Sequence, residues 1–318
     1  MRILVLGAAG QVGFELCRTL ANLGELLAAD RAADSALGIG HMIEMGDAEA
    51  LESALLSLSP QVIVNAAAYT AVDLAEDEPA LADRLNHQAL VQIGRYAAAH
   101  AALVIHYSTD YVFAGDASTP YAEDAATGPR SVYGRSKLAG EEALRASGCD
   151  HILLRTAWVY GTRGKNFLLT MLRVARTRPE LAVVDDQIGS PTSARFLAQT
   201  TATILTRWQQ ADAAQRRDLT GTFHAVMHGQ TSWHGFASAI IERAHAMGLL
   251  DRLTPVRAIS SANYPAKAAR PNYSVLDTQR LRTRFGCIPP PWEQGLQQVL
   301  SELAEARRSL ATIEVSTC

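Results

Sequence analysis

Apolar runs alternate with amphipathic stretches along the first half of the chain. Five runs are short and almost free of polar residues, as buried parallel strands are: residues 2–6, 26–30, 61–65, 102–108 and 151–155. Apolar positions at helical spacing predict helices between them, over about 11–23, 47–58, 79–100 and 133–147. This alternation indicates an α/β fold in which a doubly wound parallel sheet has helices on both faces.

The alternation loosens after residue 157. The pattern there predicts one further strand, at 222–226, and helices near 165–178, 193–208, 231–247 and 292–308. Proline and asparagine collect at 263–274, which indicates an ordered loop. The sequence therefore predicts a smaller C-terminal region beside the sheet.

The composition narrows the class of partner. The 318 residues carry a net charge of −3 and 48% of them are hydrophobic, so the chain can bury a large core but has no general attraction for nucleic acid. The four cysteines are far apart in sequence, and no apolar run approaches the length of a membrane span. We therefore expect a soluble, cytoplasmic protein that binds neither nucleic acid nor membrane.

The first chemical motif is GAAGQVG, residues 7–13, which joins the first predicted strand to the first predicted helix. Gly7, Gly10 and Gly13 permit a tight turn, close approach of the backbone to a pyrophosphate and close packing of the helix. Gln11 and Val12 begin the helix at that point. The pattern predicts a dinucleotide site of the Rossmann type.

A carboxylate at the end of the second predicted strand bears on the choice of cofactor. Asp30 follows Gly7 by 23 residues, where it can accept hydrogen bonds from the adenosine ribose. It favours NADH because it would repel a 2′-phosphate. Arg31 beside it could hold that phosphate, so NADH and NADPH both stay open.

A tyrosine and a lysine stand four residues apart in SVYGRSKLAG, at the start of a predicted helix. Lys137 then lies on the same helical face as Tyr133, where its ammonium could lower the pKa of the phenol and reach the hydroxyls of the nicotinamide ribose. The chain has nine tyrosines and only three lysines, so this spacing seldom arises by chance. The pair suits hydride transfer to a ketone, in which the phenol protonates the developing alkoxide.

Two hydroxyl side chains end the fourth predicted strand. Ser108 and Thr109 lie at its carboxyl end, which is where open α/β sheets bind their ligands. Either hydroxyl could donate a hydrogen bond to a substrate carbonyl. This position favours a role in substrate binding over that of an ordinary residue at a strand end.

Six stretches together resemble the extended short-chain dehydrogenase/reductases, and within them the dTDP-4-dehydrorhamnose reductases. The stretches are GAAGQVG, VIVNAAAYTAVD, VIHYSTDYVFAG, VYGRSKLAGE, LRTAWVYG and DDQIGSPT, and the similarity runs from residue 1 to about residue 304. The resemblance implies reduction of the 4-keto group of dTDP-6-deoxy-L-lyxo-4-hexulose to dTDP-L-rhamnose, the last step in making this sugar donor. NADPH or NADH would supply the hydride.

The same resemblance implies roles for the residues that match the family's motifs. Thr109 would be the hydroxyl partner of the tyrosine, Tyr133 the proton donor and Lys137 its electrostatic support. Further residues expected to line the cofactor are Asp47, Ala66, Ala67 and Ala68. Residues expected to face the nucleotide sugar, besides Thr109 and Tyr133, are Asp110, Trp158, Asn166, Gln187 and Arg270.

The predicted regions then take different ligands. We expect residues 1–157, with return segments at about 191–228, to form the dinucleotide-binding domain. Residues 158–190 and 229–318 are expected to form the region that binds the nucleotide sugar.

Two other functions stay open. A nucleotide-sugar epimerase or dehydratase shares the glycine turn and the tyrosine–lysine pair, although a dehydratase should carry a glutamate next to Asp110. A regulatory subunit could bind the cofactor without turnover, although intact Thr109, Tyr133 and Lys137 argue against that role.

One departure from the resemblance concerns metal. Some bacterial members hold a magnesium ion between glutamates at a two-fold dimer interface, and Glu15 and Glu302 match two of those positions. The third is Arg195, which cannot coordinate a hard cation. We therefore predict a salt-bridge cluster with no metal, and a protein that is a monomer or a metal-independent homodimer.

Overall fold

A central parallel sheet organises the computed structural model, which describes residues 1–316, with side-chain environments described as far as residue 309. Residues 317 and 318, and with them Cys318, lie outside the described residues. The strands are β1 (Arg2–Leu6), β2 (Glu25–Asp30), β3 (His41–Met42), β4 (Val62–Asn65), β5 (Leu103–Thr109), β6 (His151–Thr156), β7 (Val159–Tyr160), β8 (Leu181–Val184), β9 (Ile188–Gly189), β10 (Thr192–Ser193), β11 (Gly221–His224), β12 (Thr231–Ser232) and β13 (Val256–Ile259). Seven of them form the sheet, in the order β11-β6-β5-β4-β1-β2-β3.

Helices cover both faces of that sheet. They are α1 (Gln11–Leu20), α2 (Ala48–Leu58), α3 (Val72–Ala75), α4 (Pro79–Asp83), α5 (Ala89–His100), α6 (Val132–Ala146), α7 (Phe167–Ala175), α8 (Ala194–Gln210), α9 (Ala213–Leu219), α10 (Trp233–Ala246), α11 (Gln279–Phe285) and α12 (Trp292–Ser316). The predicted doubly wound α/β fold is confirmed. None of the helices in residues 1–316 is long and apolar enough to cross a membrane.

Alternation along β1 shows why the strands are apolar at nearly every position. Ile3 and Val5 pack into the cluster that holds α1 and α8, whereas Leu4 and Leu6 pack into the cluster on the other face, with α2 and α5. Successive side chains of a strand point to opposite faces, so a strand buried on both sides needs apolar residues throughout.

The strand order places a crevice between β1 and β4. From β1 the chain runs outward to β2 and β3, and then returns to place β4 on the other side of β1. The connections at the carboxyl ends of β1 and β4 therefore lead away in opposite directions, which leaves a ligand-sized opening at this edge.

One predicted helix differs in the structure, and some strands of the structure were not predicted. The helix expected over 79–100 is broken into α4, a π-helical turn at Arg84–Gln88 and α5, because the buried Asn86 in that turn hydrogen-bonds the backbone of Tyr69. The strands β8 and β13 were not predicted, and they pair in parallel within the C-terminal region.

Candidate active site

The glycine turn follows β1 directly and depends on two of its glycines. Gly7 has φ +78°, and a Cβ there would lie 2.7 Å from the backbone nitrogen of Ala67. A Cβ at Gly13 would collide with the carbonyl oxygen of Gly7, so α1 can pack against the turn only with glycine at this position. Helix α1 begins after Gly10 with no side-chain cap. The first N–H groups of α1 therefore suit an anion such as a pyrophosphate.

Two aspartates lie at one edge of the opening, the edge that is farther from β5. Asp30 ends β2 and accepts hydrogen bonds from the backbone nitrogens of Ala9 at 2.9 Å and Arg31 at 2.8 Å. Asp47 caps α2 by accepting from the backbone nitrogens at positions 49 and 50, both at 3.0 Å. Asp30 thus ties the glycine turn to β2, in addition to any contact with a ribose.

An open cleft of about 1470 Å³ runs along the carboxyl edge of the sheet. Typical small-molecule sites measure roughly 300–1,000 Å³, so the cleft has room for a dinucleotide and part of a second ligand. Predicted cofactor residues that line it are Gly7, Gly10, Gln11, Val12, Asp30, Asp47, Ala66, Ala67, Ala68, Tyr133 and Lys137. Gly13 does not line it, in keeping with its place beneath the turn.

Charged residues that the sequence did not single out also line the cleft. They are Glu44, Glu49, Arg84 and Lys165. Lys165 could have been noticed, because it is one of only three lysines and stands next to Asn166.

Helix α6 carries the tyrosine and the lysine into the cleft. Ser131 caps the helix through the backbone nitrogen of Gly134, and Glu76 accepts from the backbone nitrogen of Val132 at 2.8 Å. These contacts fix the first turn of α6, where Tyr133 is 9% exposed and Lys137 is 1% exposed. Both side chains are therefore held in place before any ligand binds.

Tyr133 remains a phenol at neutral pH. Burial raises the pKa of Tyr133 to about 12, a hydrogen bond with Thr109 acts in the opposite direction, and the charge of Asp110 adds to the increase. The sequence predicted that Lys137 would lower this pKa, but burial outweighs any such effect. A protonated phenol can serve as a proton donor without further preparation.

Burial acts on Lys137 as well. Its ammonium nitrogen, Nζ, donates to the backbone oxygen of Tyr107 at 2.7 Å and lies 3.0 Å from Nε2 of His106. Burial lowers the pKa of Lys137 to about 7, and the charge of Glu141 acts in the opposite direction. The lysine is therefore close to balance between its charged and neutral forms at neutral pH. Sequence reasoning missed His106, although it stands within the quoted stretch HYSTD.

Thr109 and Asp110 lie side by side at the end of β5. The Thr109 hydroxyl donates to Oδ1 of Asp110 at 3.0 Å. Burial raises the pKa of Asp110 to about 6, against hydrogen bonds from Ser274 and Thr109. The structure thus brings Thr109, Asp110 and Tyr133 together beside the cleft.

The remaining predicted substrate residues lie outside the lining of the cleft. The Trp158 ring stacks on Trp233 with the centroids 3.5 Å apart, and its φ of +48° is strained for a residue with a side chain. Asn166 caps α7 and also donates to the carbonyl oxygen of Gly161 at 3.1 Å. Gln187 is 8% exposed, and Arg270 pairs with Asp73 at 2.8 Å.

The predicted salt-bridge cluster is present on the face formed by α1, α8 and α12. Arg195 donates to Glu15 at 3.3 Å and also pairs with Glu302. Its guanidinium lies between the two carboxylates. The expected ion pairs of Arg195 are therefore confirmed.

Known proteins resemble this chain over nearly its whole length. The family model described as RmlD substrate binding domain matches residues 1–305. A dTDP-4-dehydrorhamnose reductase from Shigella flexneri is 42% identical over 303 residues, which cover 95% of this chain and 98% of that protein.

Solved structures agree with that match. A dTDP-4-dehydrorhamnose reductase from Clostridium acetobutylicum superposes with a TM-score of 0.83 at 32% identity, over 95% of this chain and 99% of that one. A second, from Bacillus anthracis in complex with NADP, gives a TM-score of 0.82 at 30% identity over the same shares of the two chains.

Proposed function

The chain belongs to the RmlD substrate binding domain family, and from that premise we propose that it reduces the 4-keto group of dTDP-4-dehydro-L-rhamnose to give dTDP-L-rhamnose. The observation that carries the proposal is the meeting of Tyr133, Lys137 and Thr109 at a cleft that the glycine turn also lines. NADPH and NADH are both accepted as cofactors. The reaction would complete the synthesis of an activated deoxysugar.

The chemistry of reduction needs a hydride and a proton on the two atoms of the carbonyl. The nicotinamide cofactor, once bound, supplies the hydride to the carbon. Tyr133 gives its proton to the carbonyl oxygen, and Thr109 shares the hydrogen bond that orients the phenol. Lys137, one helical turn away, stabilises the phenolate that remains. These three roles are the core of the proposed mechanism.

The cofactor is held along the glycine turn. The N–H groups at Gln11 and Val12 would bind the pyrophosphate, and Asp30 would accept from the adenosine ribose. The adenine would lie near Asp47 and the small side chains of residues 66–68 would allow the rest of the cofactor to approach the backbone.

The nucleotide sugar is proposed to bind beyond Tyr133, towards the C-terminal region. Asp110 and Trp158 would contact the sugar, since Asp110 adjoins Thr109 and Trp158 follows the end of β6. Asn166, Gln187 and Arg270 would take part from the surrounding loops. Arg270 carries the charge that a diphosphate requires, although binding would compete with its ion pair to Asp73.

We propose that different segments of the chain bind the two ligands. Residues 1–157 with the return segment 191–228 would bind the dinucleotide, because β11 of that segment completes the central sheet beside β6. Residues 158–190 and 229–318 would bind the nucleotide sugar. The cytoplasmic location also stays a prediction.

A single-turnover experiment tests the function directly. The protein is mixed with NADPH or NADH and with the 4-keto sugar nucleotide generated enzymatically, and cofactor oxidation is followed by absorbance. We expect stoichiometric oxidation and one new product with a hydroxyl at C4. Sugar conversion without net oxidation of cofactor would indicate an epimerase or dehydratase, and cofactor binding without conversion would indicate a regulatory subunit.

A further inference from the structure

A row of buried polar side chains runs behind the catalytic lysine. Nζ of Lys137 lies 3.0 Å from Nε2 of His106, and Nδ1 of the same imidazole lies 3.1 Å from Nδ2 of Asn65. Asn65 is 0% exposed, and His106 and Lys137 are each 1% exposed. Asn65 and His106 are shut off from water, so their donors need acceptors among the neighbouring atoms, whereas Lys137 also borders the cleft.

The far end of the row fixes the orientation of the asparagine. The Asn65 carbonyl oxygen Oδ1 accepts from the backbone nitrogen of Ala67 at 3.1 Å. The Asn65 amide nitrogen must therefore point at His106. An amide nitrogen only donates, so Nδ1 of His106 must be the bare nitrogen that accepts.

The tautomer of the imidazole follows from this constraint. A neutral histidine with a bare Nδ1 carries its proton on Nε2. Burial, the largest cause, lowers the pKa of His106 well below its usual range, so the ring is neutral. Nε2–H then points at Lys137, and the lysine nitrogen must accept. An ammonium has no lone pair, whereas a neutral amine has one.

A neutral lysine can make every hydrogen bond that this arrangement offers without opposing two N–H groups. The amine accepts from His106, donates one N–H to the backbone oxygen of Tyr107 at 2.7 Å, and keeps one N–H for the cleft that it lines. A charged lysine in the same place would set a third N–H against the N–H of His106.

We propose that His106 is a positioning residue that holds Lys137 as a neutral amine in the resting protein, and that Lys137 takes up a proton when the cofactor binds. The incoming pyrophosphate brings negative charge into the cleft, which favours the ammonium. The charged lysine must donate to Nε2, so the imidazole proton moves to Nδ1. Asn65 then has to turn its oxygen towards His106, which releases the N–H of Ala67 in the cofactor-lining segment 66–68.

This inference deepens the proposed function and rests on it only for the role of the cofactor. The other titratable groups that face Lys137 do not alter the hydrogen-bond argument. Tyr133 on the same helix is a phenol with a raised pKa, and Glu141 is held by Arg155 through two hydrogen bonds, at 2.9 and 2.7 Å, and by Arg145. The Tyr107 phenol points away to Thr201.

Nitrogen NMR of the protein with ¹⁵N-labelled histidine reads the tautomer without any sugar substrate. Bare and protonated imidazole nitrogens resonate far apart, so each histidine reports which nitrogen carries the proton. The His106 signals are identified by their loss in His106→Gln or, if that variant does not fold, by their displacement in Asn65→Asp. We expect the Nε2–H tautomer at pH 7; the Nδ1–H tautomer would overturn the proposal whichever sugar the enzyme reduces.

The Asn65→Asp substitution should reverse the tautomer of His106, and it changes the shape of the side chain at position 65 very little. A carboxylate at position 65 accepts from Nδ1–H, so Nε2 becomes bare and accepts from a lysine that is already charged. Asn86→Asp is the matched control, since Asn86 is an equally buried amide that bonds Tyr69 and Ser136 instead of His106. We expect the tautomer to switch in Asn65→Asp and to stay unchanged in the control.

Calorimetry of NADPH binding tests the proton uptake. Titrations at pH 8 in buffers of different ionisation enthalpy give the number of protons taken up per cofactor. We expect close to one proton for the natural protein and for Asn86→Asp, and close to none for Asn65→Asp, in which the lysine is charged beforehand. Equal uptake in Asn65→Asp and in the natural protein would overturn the proposed link between His106 and the charge of Lys137.

Discussion

Burial changes the acid–base behaviour of three side chains in or beside the cleft. The pKa of Tyr133 is raised to about 12, that of Asp110 is raised to about 6, and that of Lys137 is lowered to about 7, in each case with burial as the largest cause. Each shift favours the neutral form of the group. A neutral phenol suits the reducing direction, in which the tyrosine begins as a proton donor.

Replacing the phenol isolates proton donation. Tyr133→Phe keeps the ring and its edge contact with Tyr111, whose centroid lies 5.6 Å away, but removes the proton. We expect kcat to fall by roughly 10² or more, the usual contribution of a general acid, while the affinity for NADPH changes little. Single-turnover kinetics and calorimetric titration measure the two quantities. Turnover near the natural rate would contradict the proposed role.

The raised pKa of Asp110 predicts a pH dependence of stability. In the unfolded chain an aspartate titrates near 3.8, whereas in the folded protein Asp110 titrates at about 6. The unfolded chain therefore loses its proton first, so stability is fully present below pH 3.8 and declines as pH rises through 6. A difference of about two pH units corresponds to about 3 kcal/mol.

Asp110→Asn tests this sign because it keeps the shape without the charge. We expect the variant to be more stable than the natural protein at pH 8, by up to about 3 kcal/mol, and the difference to shrink towards pH 4. Urea unfolding at several pH values measures the free energy of unfolding. The same change at the exposed Asp124 is the control. If the stability gained by Asp110→Asn over the natural protein were smaller at pH 8 than at pH 4, the prediction would be wrong.

At this scale the sequence singled out the groups proposed to react but not the buried side chains that contact them. Tyr133, Lys137 and Thr109 could be found because their spacing and their place at element ends carry the chemistry. His106 and Asn65 act through hydrogen bonds between strands β4 and β5 and helix α6, which lie far apart in sequence. No local pattern encodes such contacts, and a histidine in an apolar strand gives no sign of which atoms it will meet.

Helices and strands could be predicted where hydrophobic residues recur with a clear helical or strand spacing in the sequence. Six of the seven sheet strands and helices α1, α2 and α6 were predicted because they are buried on one or both faces, whereas the two-residue strand β3 was not. Strands β8 and β13 were missed because their pattern is short and, along Val256–Ile259, not fully buried. The π-helical turn escaped prediction because it depends on one buried contact, that between Asn86 and Tyr69.

The junction of β2 with the glycine turn is expected to influence the choice of cofactor. Asp30→Ala removes both a ribose acceptor and a charge that repels a 2′-phosphate, so kcat/KM should shift towards NADPH relative to NADH. The hydrogen bond to Ala9 is lost as well, so the affinity for both cofactors should fall. Steady-state kinetics with each cofactor measure the ratio.

Asp34→Ala is a matched control for that prediction. Asp34 caps the short 3₁₀ turn at Ser35–Leu37 and does not line the cleft. We expect its ratio of kcat/KM values to equal that of the natural protein. A ratio unchanged in Asp30→Ala as well would mean that Asp30 serves only to order the turn.

The whole molecule shares one core across the two proposed regions. A single cluster of buried residues includes Ile3 of the first strand together with Phe236 of α10 and Leu300 of α12. The C-terminal helices therefore cover apolar surface of the sheet domain as well as their own. This continuity explains why the sequence could indicate two ligand-binding regions but no linker between them.

The face formed by α1, α8 and α12 carries the prediction that the protein does not need magnesium. Arg195 pairs with both Glu15 and Glu302, and a guanidinium cannot coordinate a hard cation. We expect light scattering and turnover to be the same with and without EDTA. A dimer that dissociates and loses activity on chelation, and recovers with magnesium, would show this expectation to be wrong.

Arg195→Glu provides the converse experiment. It would set a third carboxylate beside Glu15 and Glu302, so their mutual repulsion should lower Tm in EDTA, and magnesium should restore it by binding the three groups. Arg18→Glu is the control, because Arg18 is exposed and pairs with Glu15 at 3.5 Å instead of lying between the two carboxylates. Differential scanning calorimetry with a magnesium series measures both. We expect magnesium to raise the Tm of the Arg195 variant but not that of the control or of the natural protein, which would show that Arg195 alone prevents metal binding here. If magnesium does not raise the Tm of the Arg195 variant, the three positions do not converge on a common site.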